Sequence, residues 1–393
     1  MRPAIHARTT LAFALAAALA ACQPAQTTQA PEPAPVEQVR QVASVKGEAT
    51  LEVVARGLSH PWAVLPLAEG GFLVTERGGA LRKVAADGTV SAPLAGVPAV
   101  AARGQGGLLD VALAPDFAQS RRIYLTYAEP GDNGLSGTAA AHATLGEDGL
   151  ADLQVIYRQE PKVNTENHYG SRLAFDDQGH VFISQGDRTL RAMAQELDKL
   201  QGKLVRLNLD GSIPADNPFV GRDDARAEIW SYGHRNMQGM AIDPRTGKLW
   251  ESEHGPRGGD EINLPQPGAN YGWPLVTHGI DYSGQPIPEA TGKEKPGIEP
   301  PHFVFEVSPG LSGMAFYTGR PGAPWNDSLF LGALAQRQLI RLQLEGDRVV
   351  GEERLLQDFG ERIRDVRVAA DGIIYLVTDE ADGKLLRLQP PQG

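Results

Sequence analysis

The sequence has little cysteine, few aromatic residues and no long apolar run. It contains one cysteine in 393 residues, so no disulfide can form within one chain. The most apolar stretch, residues 11–19, is too short to cross a bilayer as a helix. Basic residues are also outnumbered, 37 to 48, which gives a net charge of −11. That balance argues against nucleic acid and against an anionic lipid surface as partners.

The N-terminal segment predicts export. Two arginines precede the apolar run at 11–19, a pattern typical of a signal peptide. The run ends in the sequence LAAC at 19–22, which resembles the lipobox of bacterial lipoproteins. We therefore predict a signal peptide over residues 1–22 and a lipid on Cys22, which would be the chain's only membrane attachment. By resemblance to lipoprotein sorting, Gln23 indicates the periplasmic side of the outer membrane.

A segment rich in Pro, Ala and Gln follows the cysteine. Residues 23–45 contain no aromatic residue, and this composition predicts an extended tether. Residues 46–393 are then too long for an ordinary single-core domain unless they form a large all-β or repeat fold.

Short β-type runs bounded by Gly, Asp-Gly and Pro dominate this body. Six of them resemble one another, at 72–75, 123–126, 181–184, 248–252, 329–332 and 374–378. Irregular repetition of this kind is typical of propeller blades with loop insertions. The sequence therefore predicts an all-β, six-bladed β-propeller, with a pair of β-sandwiches as the alternative. The best helix signal is residues 190–200, where apolar residues recur at helical spacing.

Several polar residues flank these strands. The starts of the innermost strands of a propeller line its central channel, so His168, Arg235 and Asn236 are expected to converge there. Asp187, at the end of a neighbouring strand, is within reach of His168. A carboxylate orients a histidine and makes it a better general base. The alternative for His168 is a purely structural histidine.

Two further patterns indicate ligands. Residues 253–261 (EHGPRGGDE) combine carboxylates with a Gly-Pro turn that exposes carbonyl groups, which suits a hard cation such as Ca²⁺. Asp260 and Glu261 could equally be turn formers. Arg362 and Arg364 lie on the same side of an extended strand and are suited to bind carboxylates. A solvated outer pair is the alternative.

Together these motifs resemble the soluble aldose sugar dehydrogenases that depend on pyrroloquinoline quinone (PQQ), the glucose/sorbosone dehydrogenase family. The likeness extends from about residue 58 to residue 388. The matching segments are GQGGLL at 104–109, NH at 167–168, SRL at 171–173, GD at 186–187, YGHRN at 232–236, GP at 255–256, DEIN at 260–263, NYGWP at 270–274 and RIRD at 362–365.

The resemblance implies that an aldose is oxidised at C1 to a lactone, with hydride passing to PQQ and electrons passing to an unidentified acceptor. It implies that His168 is the base, that Asp187 orients it and that Arg235 stabilises charge on the reduced cofactor. Further cofactor contacts would come from Gln105, Asn236, Arg362 and Arg364. The carbonyls of Gly255 and Pro256 would bind Ca²⁺, and a second calcium would lie near Asp260, Glu261 and Tyr271.

One position departs from the family pattern. The family often has a lysine where this chain has Ala335, so either Gln336 or Arg337 supplies that contact or PQQ binds less tightly. Residues 302–313 also lack the aromatic pocket of the glucose-specialised members, which favours a broad range of aldoses. Two other functions stay open from the residues alone: a metal-dependent propeller lactonase or hydrolase, and a non-catalytic propeller that binds a partner.

Overall fold

The computed structural model describes Met1 and residues 39–392. The predicted signal peptide, the lipidated Cys22 and residues 23–38 of the predicted tether lie outside the described residues. In the described part, 24 strands form six sheets. The predicted six-bladed, all-β propeller is therefore confirmed, and the alternative of two sandwiches is wrong.

The first half of the ring contains three blades. Two strands, β1 (Arg40–Ser44) and β2 (Gly47–Leu58), precede them. Blade 1 contains β3 (Pro61–Pro66), β4 (Phe72–Glu76) and β5 (Ala80–Val84). Blade 2 contains β6 (Leu108–Leu113), β7 (Arg122–Pro130), β8 (Ser136–Leu145) and β9 (Leu150–Arg158). Blade 3 contains β10 (Leu173–Phe175), β11 (His180–Ser184), β12 (Lys203–Asn208) and β13 (Ile229–Tyr232).

The second half has the same plan. Blade 4 contains β14 (Met237–Ile242), β15 (Leu249–Glu253), β16 (Asp260–Asn263) and β17 (Phe303–Phe305). Blade 5 contains β18 (Leu311–Phe316), β19 (Ser328–Ala333), β20 (Gln338–Glu345) and β21 (Arg348–Leu355). Blade 6 contains β22 (Ile363–Val368), β23 (Ile374–Thr378) and β24 (Gly383–Gln389).

Blade 6 is completed by the N-terminal strands. Its sheet has the order β1-β2-β24-β23-β22, and Leu51 of β2 pairs with Leu388 of β24. The closure covers a sheet edge that would otherwise be open. β1 belongs to this sheet, so residues 40–44, which were predicted to be part of the tether, form a strand of blade 6. The physical reason is that Val42 is buried in the apolar cluster between blades 5 and 6.

The six repeated runs found in the sequence are the second strands of the six blades, β4, β7, β11, β15, β19 and β23. These strands are covered on both faces: every residue of β4 and of β19 is buried. The outermost strand β21 instead alternates exposed and partly buried residues. Burial on both faces explains why the second strands appear as continuous apolar runs and were the easiest to recognise.

Six apolar clusters hold the blades together, one at each junction between neighbours. Trp62 of blade 1 and Leu125 of blade 2 share one cluster, for example, and Trp250 of blade 4 shares another with Leu329 of blade 5. The other four clusters join blades 2 and 3, 3 and 4, 5 and 6, and 6 and 1. Each blade therefore buries its apolar faces only against its neighbours, so the ring is stabilised as a unit.

Helical structure in the described residues is limited to an α-helix at Phe117–Ser120 and 3-10 helices at Asp132–Gly134 and Arg191–Gln195. The helix predicted over residues 190–200 is therefore wrong beyond a single 3-10 turn. The carbonyls of Met193 and Ala194, which a longer helix would need, accept hydrogen bonds from the Lys203 ammonium at 2.7 and 3.1 Å. No described helix is both long and apolar enough to span a membrane.

Candidate active site

His168 and Asp187 lie beside one another at the end of the channel where first strands begin and second strands end. The His168 Nδ1 and Asp187 Oδ1 atoms are 2.6 Å apart. Asp187 is fully buried and also accepts hydrogen bonds from the Trp273 Nε1 and the Thr189 amide, each at 2.7 Å. Because Nδ1 is held by the carboxylate, Nε2 is the nitrogen left to accept a proton from a bound molecule.

The surroundings keep this histidine neutral. Burial lowers the pKa of His168 more than the hydrogen bond and charge of Asp187 raise it, and the positive charges of Arg235 and Arg188 act in the same direction as burial. Burial alone would raise the pKa of Asp187, but its hydrogen bond to His168 and the nearby charges lower it below its usual value. A neutral imidazole beside an ionised carboxylate is the state that a general base requires.

The loop carrying His168 is held by polar contacts from other blades. The His168 amide donates to the Gln105 Oε1 at 2.8 Å, and the Gly170 amide donates to the Asn236 Oδ1 at 3.1 Å. A Cβ at Gly186 would lie 2.0 Å from the His168 carbonyl oxygen, so only glycine fits there. The side-chain oxygen of Asn236 thus binds the main chain two residues after the base, and its predicted contact with the cofactor stays a prediction.

Two cavities open at this end of the channel. The first, which we call the base cavity, has a volume of about 710 Å³ and is lined by His168, Asp187, Arg191, Arg235, Trp273 and Glu289 among others. The second, the arginine cavity, is of equal volume and is lined by Arg77, Gln105, Gln238, Arg257, Arg362 and Arg364 among others. Pro256 and Tyr282 line both. Both volumes are in the range of small-molecule sites, about 300–1,000 Å³.

Three arginines in the arginine cavity converge on one carboxylate. The side chains of Arg364, Arg362 and Arg77 approach Asp379 to 2.7, 3.2 and 3.6 Å. Burial acts to raise the pKa of Asp379, but the three guanidinium charges lower it far below its usual range. Sequence reasoning recognised Arg362 and Arg364 but missed Arg77 and Asp379, whose Oδ2 atom both Arg362 and Arg364 contact. The group keeps an excess of positive charge, and the buried Arg364 Nε has no partner.

Gln336 and Arg337 are the two residues predicted to replace the lysine that the family often has at the position of Ala335. Ala335 lines the arginine cavity and brings no charge. The Arg337 guanidinium donates to the Gly360 carbonyl at 2.7 Å, and Gln336 accepts from Arg354 at 2.8 Å. Neither residue is part of the cavity wall, whereas Arg77 and Arg257 both bring a cation to it. That Gln336 or Arg337 replaces the lysine, or that PQQ binds less tightly without it, stays a prediction.

Arg235 lies between the base and the Gly-Pro turn. Its Nη1 donates to the carbonyls of His254 and Gly255 at 3.0 and 2.8 Å, and its Nε is buried without a partner. The neighbouring His254 also has an unpaired buried Nε2. Burial lowers the pKa of His254 to about 4, so this ring is neutral at pH 7. Unpaired buried nitrogens are costly and are expected where a ligand supplies the missing partner.

Beneath the Gly-Pro turn lies a small cavity of about 20 Å³, which holds roughly one water-sized particle. Its wall includes Glu253, Glu261, Tyr271, Gly255 and Pro256. Burial and the charge of Glu253 raise the pKa of Glu261 well above its usual value. A bound cation would relieve both effects, so the donors fit a single hard ion such as Ca²⁺.

Two predicted metal ligands have other partners. The Asp260 carboxylate accepts from the Gly255 amide at 3.0 Å and the Gly310 amide at 2.8 Å, so it fixes the turn to blade 5. The Tyr271 hydroxyl donates to the Leu264 carbonyl at 2.7 Å, and its ring stacks on His234 with centroids 4.8 Å apart. Tyr271 lines the small cavity and Asp260 lines the arginine cavity, and their side-chain oxygens already have hydrogen-bond partners.

An acidic group behind this cavity was missed. Ligand atoms of His234, Glu251 and Glu253 lie within 4.8 Å of one another, all buried. Burial and the charge of Glu253 raise the pKa of Glu251 well above its usual value. The signal was present in the sequence: the run WESE places two glutamates at alternate positions of a strand that the repeat pattern predicts to be buried.

This geometry agrees with similarity to known proteins. Residues 58–387 match the family described as Glucose / Sorbosone dehydrogenase. Aldose sugar dehydrogenase YliI of Escherichia coli is 54% identical over 343 residues, which cover 86% of this chain and 92% of that protein. A crystal structure of a glucose dehydrogenase is 59% identical with a TM-score of 0.85, covering 86% of this chain and 99% of that one.

A more distant relative has been solved with PQQ bound. The PQQ-bound form of aldose sugar dehydrogenase from Streptomyces coelicolor is 28% identical with a TM-score of 0.72, covering 87% of this chain and 98% of that one. The family match extends over most of the propeller and includes every residue of the base and arginine cavities named above. The chain therefore belongs to the glucose/sorbosone dehydrogenase family and is a sugar oxidoreductase.

Proposed function

We propose that the chain is a PQQ- and Ca²⁺-dependent aldose dehydrogenase that oxidises the C1 hydroxyl of a sugar to a lactone. The observation that carries this proposal is the position of the oriented, neutral base His168 beside a cavity with excess positive charge. A lactonase acting on neutral lactones has no use for three arginines on one carboxylate.

The arginine cavity suits PQQ because that quinone carries several carboxylates. Arg362, Arg364 and Arg77 would bind them, since charge-assisted bonds from guanidinium groups to carboxylates are strong and directional. The unpaired nitrogens of Arg364 and Arg235 would gain partners. Ca²⁺ would be bound by the Gly255 and Pro256 carbonyls, with Glu253 and Glu261 below them. When bound, PQQ supplies the hydride acceptor and Ca²⁺ polarises it.

The chain's own residues account for the proton. The His168 Nε2 takes the proton of the sugar C1 hydroxyl as the hydride leaves. Asp187 stabilises the imidazolium that forms and keeps the ring from turning, because its other oxygen is held by Trp273. Arg235, which is 6% exposed and lines the base cavity, would stabilise the negative charge that develops on the reduced cofactor.

The test is reconstitution of the purified protein with PQQ and CaCl₂, followed by assays of several aldoses with an artificial electron acceptor. His168→Ala should lose on the order of 10²–10⁴-fold in kcat. His180→Ala is a matched control, because His180 forms a similar pair with Asp176 at 2.7 Å at the opposite end of β11, outside both cavities. Equal activity of the two variants, or lactone hydrolysis without any acceptor, would contradict the proposal.

We also propose that the enzyme is exported and attached to the periplasmic side of the outer membrane through a lipid on Cys22. The support is the signal-peptide pattern and lipobox, and the membrane contact needs no other part of the chain. Cys22→Ser should remain soluble in a periplasmic extract, whereas the wild type should be recovered with outer membranes. Wild-type protein that is fully released without detergent would contradict this.

A further inference from the structure

We propose that Arg188 is the positioning residue for the base His168, acting through the main chain on either side of it. This rests on the proposed function, in which His168 accepts the substrate proton. Arg188 follows Asp187 directly in the chain, so one turn holds the base in two ways: Asp187 binds its ring and Arg188 binds its backbone.

The contacts of Arg188 account for four of its five N–H donors. Nε donates to the Asn167 carbonyl at 3.0 Å, and Nη2 donates to the Thr165 carbonyl. Nη1 and Nη2 also donate to the carbonyl and hydroxyl of Ser136 at 2.8 and 3.2 Å. Ser136 begins β8, so the fully buried guanidinium ties the segment leading to His168 to a strand of blade 2.

The residue after the base is held by the same side chain. The Arg188 guanidinium carbon lies 3.7 Å from the centroid of the Tyr169 ring. The Tyr169 hydroxyl is 2.8 Å from the Ser136 hydroxyl, and its carbonyl accepts from Thr138 at 2.7 Å. His168 is therefore fixed through both of its neighbours in the chain.

This fixation is needed because the backbone is strained. His168 has φ +56°, and Arg188 itself has φ +53°, in the left-handed region that non-glycine residues seldom occupy. Such a conformation persists only where surrounding contacts over-determine it. We call the four hydrogen bonds of the Arg188 guanidinium its fork. Loss of the fork would let the segment around His168 relax and move the His168 Nε2 away from the reacting hydroxyl.

The charge of Arg188 adds a second effect. In the described residues no carboxylate lies at ion-pair distance from it, whereas the equally buried Arg172 has two. Burial lowers the pKa of Arg188 to about 10, so it stays positive at neutral pH. The charged or titratable groups that act on His168 are Asp187, Arg235, Arg188 and His254. Removal of the Arg188 charge should therefore raise the pKa of His168.

The experiment compares Arg188→Met, which removes fork and charge, with Arg188→Lys, which keeps the charge. Arg341→Met is the matched control, because Arg341 is a buried arginine of blade 5 bonded to Ser328 and Glu353. Two measurements are made: kcat and KM against pH for the PQQ- and Ca²⁺-loaded enzymes, and the titration of His168 by NMR in protein without PQQ. With nine histidines in the chain, a His168→Gln variant assigns the signal.

Arg188→Met should lose on the order of 100-fold in kcat with little change in KM, as expected when a catalytic group is misplaced by about 1 Å. Both the acid limb of kcat and the NMR titration of His168 should move to higher pH. Arg188→Lys should leave the titration near its wild-type position but recover only part of kcat. Arg341→Met should reduce thermal stability and leave the titration unmoved.

A folded Arg188→Met variant with wild-type kcat and an unmoved His168 titration would overturn the inference. If Arg188→Met does not fold, Arg188→Lys decides, because wild-type kcat in that variant would rule out a role for the fork. A wild-type holoenzyme that oxidises no aldose would contradict the proposed function instead, and the NMR titration would still decide whether Arg188 acts on His168.

Discussion

Buried charges are balanced in one part of the channel and unbalanced in another. In the inner charge cluster, formed by Asp110, Arg172, Asp365 and Arg367, each arginine contacts both aspartates at 2.7 to 3.1 Å. The four residues come from blades 2, 3 and 6 and their charges cancel. Asp365 also accepts from the Val64 amide of blade 1 at 3.0 Å, so the cluster links four blades around the axis.

The open end of the channel is different. Three arginines share Asp379 there, and Glu251, Glu253 and Glu261 have no lysine or arginine at ion-pair distance among the described residues. Uncompensated buried charge is expensive, so it is expected only where a ligand of opposite sign pairs with it. Under the proposed function, the inner charge cluster stabilises the fold, the arginines bind an anion and the glutamates bind a cation.

The largest effect on stability is expected at the inner charge cluster. Arg172→Met should lower the free energy of unfolding by about 3–5 kcal/mol, because it leaves Asp110 and Asp365 with one arginine between them. Chemical denaturation followed by tryptophan fluorescence measures this. A loss below about 1 kcal/mol would mean that the cluster does not hold the blades together.

Replacement of one of the three arginines at Asp379 should affect cofactor binding and not stability. Arg364→Met should leave the cofactor-free protein about as stable as wild type, because Asp379 keeps Arg362 and Arg77. It should weaken PQQ binding by about 2–4 kcal/mol, since a buried charged partner is lost. Calorimetric titration of PQQ into the apo-protein gives the affinity. A large loss of stability with unchanged PQQ affinity would mean that Arg364 serves the fold, like the inner charge cluster, and not the cofactor.

The buried carboxyl groups of Glu251 and Glu261 predict that the stability of the protein depends on pH and on Ca²⁺. Because burial raises the pKa of Glu251 and Glu261 in the folded state, the stability of metal-free protein should fall as pH rises from the unfolded value near 4.5 through the raised values. Saturating Ca²⁺ should remove this fall and add about 2.7 kcal/mol at a hundredfold excess over Kd.

Thermal unfolding at several pH values, with EDTA or CaCl₂, tests this. Glu251→Gln removes one of the titrating carboxyls, so the metal-free variant should lose less stability as the pH rises. Metal-free wild type that becomes more stable between pH 5 and pH 8 would contradict the assignment.

The smallest effect is expected for Arg77. It is the farthest of the three arginines from Asp379, at 3.6 Å compared with 3.2 Å for Arg362 and 2.7 Å for Arg364, and its side chain is 25% exposed whereas that of Arg364 is 6% exposed. Arg77→Ala should therefore weaken PQQ binding by about 1 kcal/mol and leave stability unchanged. Introducing Ala335→Lys in that variant should restore affinity if a cation on this wall is what the cofactor needs.

The parts of this site that sequence reasoning found are those with local signals. His168 and Asp187 flank the first two strands of one blade, so the repeat pattern alone brings them together. Arg77 and Asp379 were missed because they belong to blades 1 and 6, and their contact exists only once the ring closes. Arg188 was not given a role because its partners are mainly main-chain carbonyls, which have no sequence signature.

Competition between local and tertiary hydrogen bonds explains why the helix predicted over residues 190–200 does not form. Residues 190–200 have a helical pattern, but the Lys203 ammonium takes two of the carbonyls that the helix would use. Propensity was outweighed by a buried charge that needed acceptors. Burial of Lys203 lowers its pKa to about 7. Lys203 lies just beyond the predicted helix, but the helical pattern of residues 190–200 does not indicate where its ammonium points.

If the chain carries the lipid proposed on Cys22, completion of blade 6 by β1 and β2 determines where a protease can release it from the membrane. A protease that frees an intact ring has to cut ahead of Arg40. Cleavage in the turn after Ser44 would detach β1 while β2 stayed paired with β24. Cleavage after Leu58 would leave β2 held only by noncovalent pairing, and the first and last blades could then separate.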